Sequence, residues 1–254
     1  MSAVLRMEWL KLRSVRSTWY IVAVFAAGLV GVAMLVLSHQ QWAQLSATDR
    51  ASFDPVNDSY TGLALGQLLF GALGVLAIST EFSSGLIRAT FAATPGRPRV
   101  LAAKAAVLGV VTLIAGEIFA FAAYAAGEAM LKSPAPHATL GQPGVLRAVL
   151  MAGAYPALIA LIGLGFGALI RHTAGAICAV VGITFVLPLL TLPMGTSLQN
   201  SVDRFLPMEM AENSLTAVHP VAHSLSPGIA FGLLCLYAVV TLGAGAVALA
   251  RRDA

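Results

Sequence analysis

Six long apolar runs alternate with short polar ones along the chain. They fall at residues 19–37, 61–79, 105–130, 148–170, 174–194 and 228–250. An α-helix rises about 1.5 Å per residue, so roughly 20 apolar residues cross the roughly 30 Å hydrocarbon layer, and each run is read as a membrane-spanning helix. The two longest polar intervals, Ser38 to Tyr60 and Gly195 to Pro227, are rich in Ser and Pro and too short to bury a core of their own. The expectation is therefore an all-α, polytopic chain forming a single transmembrane domain over residues 1–254.

Two polar stretches carry a pattern of their own. From Thr80 to Lys104 the sequence TEFSSGLIRATFAATPGRPRVLAAK sets Glu81 against Arg88, Arg97, Arg99 and Lys104, with Pro95-Gly96 and Pro98 as punctuation. Phe82, Leu86 and Ala89 recur at spacings of four and three. Residues 80 to 93 are thus predicted as a helix with one apolar face, Glu81 and Arg88 pointing elsewhere, followed by a turn and re-entry. The second stretch, Ser2 to Ser17, places Leu5, Trp9 and Leu12 on one side, with Glu8 and Lys11 three apart and Arg13 and Arg16 before Trp19-Tyr20. It reads as an interfacial helix whose bases meet anionic lipid, or as an ordinary positively charged flank.

Composition agrees with a membrane protein: 58% of residues are hydrophobic, 10% are charged and the mean hydropathy is +0.85, whereas soluble domains carry about a quarter charged residues. With the N-terminus inside, the inner segments hold Arg6, Lys11, Arg13, Arg16, Arg88, Arg97, Arg99, Lys104, Arg171, Arg251 and Arg252, eleven of fifteen bases. The positive-inside rule then puts both termini in the cytoplasm. That topology also accounts for the net charge of +4 without nucleic acid, since the bases flank apolar spans and form no basic domain with stacking aromatics. Cys178 and Cys235 fall at different depths and are expected to be free thiols. The first apolar run is span-length and lacks a small-residue cleavage site, so it is retained as a span and not as a signal peptide.

Inside the spans, Gly62 and Gly66, Gly163 and Gly167, and Gly243 and Gly245 are candidates for close helix approach, and Pro156 and Pro188, with Pro193 beyond them, for kinks. Glu117 falls near the middle of the third span and must face protein or a wet cavity, either as a packing group or as a pathway residue. Glu128, near the outer end of the same span, can reach water. In the last long loop Met208, Ala211, Leu215 and Val218 are spaced as an amphipathic helix at the outer interface, with Glu209, Glu212 and Asn213 opposite. Met208, Met210, His219 and His223 are of types that suit a soft metal, although ordinary loop-helix positions explain them as well. The chain holds no G-x-x-x-x-G-K-[ST] phosphate loop, no G-x-S-x-G and no H-E-x-x-H. It is read as a non-enzyme with no cofactor or metal of its own.

These features together resemble the membrane subunit of a type-2 ATP-binding-cassette (ABC) exporter. The opening EWLKLRSVRSTWY is similar to that family's N-terminal elbow helix, through Glu8, Lys11, Arg13 and Arg16. Residues Glu81, Phe82, Gly85 and Arg88 resemble its motif after the second span, which Pro95, Arg97 and Lys104 continue; Leu86 departs from the threonine common after that glycine. The polar loop with a short helix before the last span is the third likeness. The resemblance implies a multi-pass permease in the bacterial-type cytoplasmic membrane, a homodimer or heterodimer, with residues 80–93 as the coupling helix. It implies a separate ATPase subunit that carries ATP-Mg, and alternating access through spans one, two and five. Two other classes remain open: a proton-coupled secondary transporter using Glu117, and a membrane-embedded enzyme or assembly factor.

Overall fold

The computed structural model describes residues 2–39, 42, 45–93, 96–193, 196–217 and 225–251. Among these the elements are all helical. In chain order they are α1 (Ser2–Ser14), α2 (Arg16–Ser38), α3 (Ala47–Ser52), α4 (Pro55–Asp58), α5 (Leu63–Ser83), α6 (Leu86–Ala93) and α7 (Arg97–Met130). There follow α8 (Val145–Ile170), α9 (Thr173–Val181), a π-helical turn Gly182–Val186, α10 (Leu187–Thr191), α11 (Thr196–Asp203), α12 (Pro207–Leu215) and α13 (Pro227–Arg251).

Among the described residues six helical stretches are long and apolar enough to cross a membrane: α2, α5, α7, α8, α9 through α10, and α13. Each coincides with one apolar run of the sequence. The largest difference in bounds is at α7, which begins at Arg97 and not at 105. Gly96 caps it and Pro98 occupies its first turn, where a missing N–H costs nothing, so the helix starts at the proline-glycine punctuation and carries Lys104 within it. At 34 residues it is about 50 Å long, well beyond the hydrocarbon layer.

The central helix is α8, packed by α5 on one side, α7 on another and α13 on a third. Small residues set these crossings. A methyl group built on Gly74 would lie 1.9 Å from the Ala160 carbonyl oxygen, on Gly163 2.3 Å from that of Gly71, and on Gly116 2.1 Å from that of Gly153. Backbones therefore touch where α5 and α7 cross α8. Gly243, by contrast, faces open space, so the Gly243 and Gly245 pair contributes one contact glycine only, Gly245 against α8. Around this centre lies an outer surface of bare aliphatics: Val239 is 66% exposed, Leu189 64%, Leu35 62% and Ile118 59%. Such a girdle is intolerable in water and ordinary in lipid.

Pro156 sits inside α8. In the fifth span Pro188 cannot donate to the carbonyl four residues back, at Thr184, and the π-helical turn Gly182–Val186 lies just before it. At the end of the bundle away from α1, Asp54 caps α4 by accepting from Val56 N and Asn57 N at 3.0 and 3.2 Å, and also accepts from Ala217 N at 2.9 Å. Arg147 donates to the Thr216 carbonyl at 2.8 Å. There α12 is not a helix resting on the interface. Met210, Ala211 and Leu215 belong to the main core, and Asn213 and Ser214 are buried with them, so Asn213 is on the inner side and not opposite it. Buried Tyr155 of α8 donates to Gln67 of α5 at 2.6 Å, with the Met208 sulfur 4.0 Å from its hydroxyl, and α12 thereby plugs into the bundle. Glu128 pairs with His137 at 3.0 Å and accepts from Ala138 N at 3.1 Å. Cys178 and Cys235 are free, as expected.

Candidate functional site

The two polar stretches singled out in the sequence come together at one end of the bundle. Residues 80 to 93 do not form one helix. The helix of the second span runs on to Ser83, Ser84 N donates to the Thr80 carbonyl at 3.0 Å, and Gly85 adopts a left-handed conformation at φ +73° before α6 begins. A left-handed residue ends a helix and restarts it in another direction, which favours glycine at that position. It also resets the phase of the side chains. The spacing of Phe82, Leu86 and Ala89 spans the break and does not mark a common face. The buried positions of α6 are Ile87 and Thr90, with Phe91 half-buried, whereas Leu86, Arg88, Ala89 and Ala92 are exposed.

The helix α1 shows a similar inversion. Its inward face carries Glu8, 3% exposed, with Lys11 and Leu12, while Trp9 is exposed. Leu5 and Leu12 are half-buried, so the expected stripe of Leu5, Trp9 and Leu12 is split and the charged residues turn toward the protein. Arg13 and Arg16 are exposed, and the Trp19 indole donates to the Arg13 carbonyl at 3.2 Å.

Glu8 and Lys11 turn inward because two further charges wait there. Lys104 of α7 donates to Glu8 Oε2 at 2.5 Å and to Glu81 Oε1 at 2.8 Å; Lys11 donates to Glu8 Oε1 and to Glu81 Oε1, both at 3.0 Å, and to Thr90 Oγ1 at 3.4 Å. Two acids and two bases thus alternate around a closed square that ties α1, α5 and α7 together, and Lys11 links Thr90 of α6 to it. Glu8, Glu81 and Lys104 are all more than nine-tenths buried. Burial pushes the Lys11 ammonium down, but the hydrogen bonds and charges of Glu8 and Glu81 outweigh it and hold its pKa above the ordinary lysine value. In a low-dielectric setting each member is needed by the others, since a lone buried charge is costly. Glu81 Oε2 is buried with no hydrogen-bond partner among the described residues.

Two other bases of this end cap the last helix. Arg97 donates to the Leu249 carbonyl at 3.3 Å and Arg171 to that of Ala248 at 3.2 Å, complementing the negative end of the α13 dipole. Arg171 stacks over the Phe82 ring at 5.3 Å and Arg97 over Phe91 at 5.5 Å. Phe82 therefore faces inward with Glu81, and of the four residues Glu81, Phe82, Gly85 and Arg88 only Gly85 and Arg88 are exposed. The contacts place the end of α13 beside α6 and α7, at the same end as α1.

Sequence reasoning named Glu8, Lys11 and Glu81 in separate motifs and left Lys104 among the bases of the island. The signal that would have joined them is scarcity: Glu8 and Glu81 are the only acids in residues 1–18 and 80–104. Acids set among so many bases invite pairing.

Glu117 lies elsewhere, in mid-α7 against α8. A methyl group on Gly153 would fall 2.5 Å from its carboxyl carbon, and its Oε2 is buried with no partner among the described residues. It faces protein, as the membrane requires. Among the described residues no group of His, Cys, Asp and Glu could hold a metal, and His219 and His223, like Val218, Pro95, Met194 and Arg252, lie outside them.

Neither a family model nor a curated protein matches this chain. The functional reading therefore rests on the geometry and on the motif likeness alone.

Proposed function

We propose that this chain is the membrane subunit of an ATP-driven exporter of the type-2 ABC kind, working as a dimer in a bacterial-type cytoplasmic membrane with a separate ATPase that carries ATP-Mg. The observation that supports this best is the outward face of α6. Leu86, Ala89 and Ala92 are exposed beside Arg88, and this small amphipathic surface is held from behind by the hydrogen bond from Lys11 of the charge square to Thr90 and by the Arg97–Phe91 stack. A short helix anchored to the ends of two spans suits a groove on a soluble partner, because a push on α6 reaches α5 and α7 without being absorbed by a loose loop. In this reading Arg88 meets the ATPase, Gly85 sets the angle of α6, and Glu81 and Phe82 position it. Helix α1, with Glu8 and Lys11 inward and Arg13 and Arg16 outward, is the elbow that completes the mount. The fifth span is the least buried of the six, with Leu189, Leu190 and Leu192 outward, and with the first span it offers the face for a second copy. With the α1 end cytoplasmic, both termini are inside.

The deciding experiment is co-purification of the tagged chain with its neighbouring gene products. Wild type should retain an ATPase, and Arg88→Glu should lose it while inserting and folding normally. Equal ATPase retention and turnover in Arg88→Glu would remove α6 from the mechanism.

A second reading is supported by one observation, the unpartnered Glu117 Oε2 in mid-span: a proton-coupled secondary transporter. Glu117→Gln keeps the shape and removes the ionisable group. Transport that survives Glu117→Gln leaves Glu117 as a packing residue between α7 and α8.

A further inference from the structure

A cavity of about 340 Å³, within the size range of small-ligand sites, lies beside the charge square where α1, α2, α5 and α7 meet. One wall is the start of α2, with Val15, Ser17 and Thr18, and another is apolar, with Leu73, Leu76 and Val107. Helix geometry orders the lining along the bundle axis: Leu76 and Leu73 lie about 7 and 12 Å further into the bundle than Glu81, and Val107 about 4 Å further than Lys104. The start of α2 belongs to the α1 end, because Val15 alone joins the two helices. A ligand that fills this space has its head at the α1 end and an apolar body directed toward the bilayer core.

The chemistry of the head follows from what the lining leaves open. The first N–H groups of a helix have no carbonyl of their own to bond, and those of α2 receive no side-chain cap from Val15 and no acid in the first turn to offset the positive end of the dipole. Thr18, in that turn, is 3% exposed, and its hydroxyl makes no hydrogen bond among the described residues. Unlike Glu81 Oε2 it is not sealed, so the little surface that Thr18 keeps includes this oxygen, and the cavity is what that surface meets. Lys104 spends two of its three N–H groups on Glu8 and Glu81 and has a third to give. The acids offer a ligand nothing in return: both oxygens of Glu8 and Oε1 of Glu81 already accept from lysines, and Glu81 Oε2 is closed off. Beyond the square the charge at this end is one-sided. Glu8 and Glu81 are the only acids in residues 1–18 and 80–104 and both are matched, whereas Arg6, Arg13, Arg16, Arg88 and Arg99 are exposed. Unused donors, an uncapped helix N-terminus and excess positive charge all call for an anion.

We propose that this cavity binds an amphiphile with an anionic oxygen head, a carboxylate or a phosphate monoester, which accepts hydrogen bonds from the Thr18 hydroxyl and the first turn of α2 while its hydrocarbon lies along Leu73, Leu76 and Val107. The inference is independent of how the protein is energised and is tested without any ATPase. The same head is offered by an anionic lipid of the bilayer and by a free fatty acid.

The test uses the full chain purified in a neutral maltoside detergent near pH 7 and titrated with dodecyl phosphate or dodecyltrimethylammonium, with bound adducts read by native mass spectrometry. The two probes share a tail and differ in the sign of the head. One dodecyl phosphate should bind per chain at least about tenfold more tightly than the cation, the weight of a charge-assisted hydrogen bond. Thr18→Val keeps the shape and removes no hydrogen bond within the protein, so it should fold and unfold as wild type does. It should nevertheless weaken dodecyl phosphate by about tenfold and leave the cation unchanged. Ala77→Trp leaves Thr18 and all four charges in place and fills the apolar arm; when folded it should lose dodecyl phosphate altogether. Stronger competition by lysophosphatidic acid than by laurate would assign the site to a lipid phosphate, and the reverse order to a fatty acid. Equal affinity for the two probes, or wild-type binding of dodecyl phosphate by Thr18→Val, would overturn the proposal.

Discussion

Replacing Lys104 by Met isolates the energetic role of the charge square. The side chain is 6% exposed, and its ammonium is the donor shared by Glu8 Oε2 and Glu81 Oε1. Met has similar length and packs against the same neighbours, so the apolar stem is largely conserved. What is lost is one of two cations facing two buried carboxylates. Removing one partner of a buried ion pair costs about 3–5 kcal/mol, mostly because the remaining charge stays buried. Lys11 still donates to both acids, which moderates the loss, so we expect a destabilisation of about 3 kcal/mol. Lys11 is itself 26% exposed, and Lys11→Met should cost clearly less. The double variant Glu8→Gln/Lys104→Met returns the square to neutrality with one acid and one base. It should therefore be less destabilised than the sum of its two singles, by a coupling energy of about 1–3 kcal/mol. Reversible unfolding of the purified chain in mixed micelles, followed by circular dichroism, measures all four proteins. A loss under about 1 kcal/mol for Lys104→Met, the scale of a solvent-exposed pair, would refute the reasoning, as would strict additivity in the double variant.

Three further outcomes follow from the geometry. Cysteines introduced at Ser14 and Ser84 should be protected from an impermeant thiol reagent in intact cells and one at Ser201 should react; labelling of position 84 from outside would reverse the orientation. Gly74→Ala places a methyl group 1.9 Å from the Ala160 carbonyl oxygen and should cost several-fold in monodisperse protein on size exclusion, whereas Gly243→Ala, with nothing within 4 Å, should leave the yield unchanged. Gly85→Val puts a β-branched residue at φ +73°, should cost about 1–2 kcal/mol in the same unfolding assay and should re-aim α6; a Gly85→Val protein as stable as wild type would mean the turn is not constrained there.

The sequence alone determined the number and positions of the spans, because crossing a membrane demands some twenty apolar residues in a row and leaves little freedom in where they fall. It also showed a turn and re-entry after the second span, since glycine and proline act on the local backbone without reference to anything distant, although the third span was expected from 105 and α7 begins at Arg97. Facing was another matter. Periodicity counted across Gly85 gave Leu86 and Ala89 a common buried side with Phe82, and the left-handed turn placed them outside. The stripe on α1 suggested a helix lying in the headgroup layer with its bases toward anionic lipid, yet Glu8 and Lys11 turn inward because Lys104, 96 residues from Glu8, and Glu81 supply their partners. Asn213 is drawn into the core because α12 is plugged between α8 and α13, which no local spacing in the loop can express. Local physics writes the helices, whereas a buried charge takes its direction from a complementary charge brought close only by the packing of distant helices, and only the folded chain reveals which pairs meet.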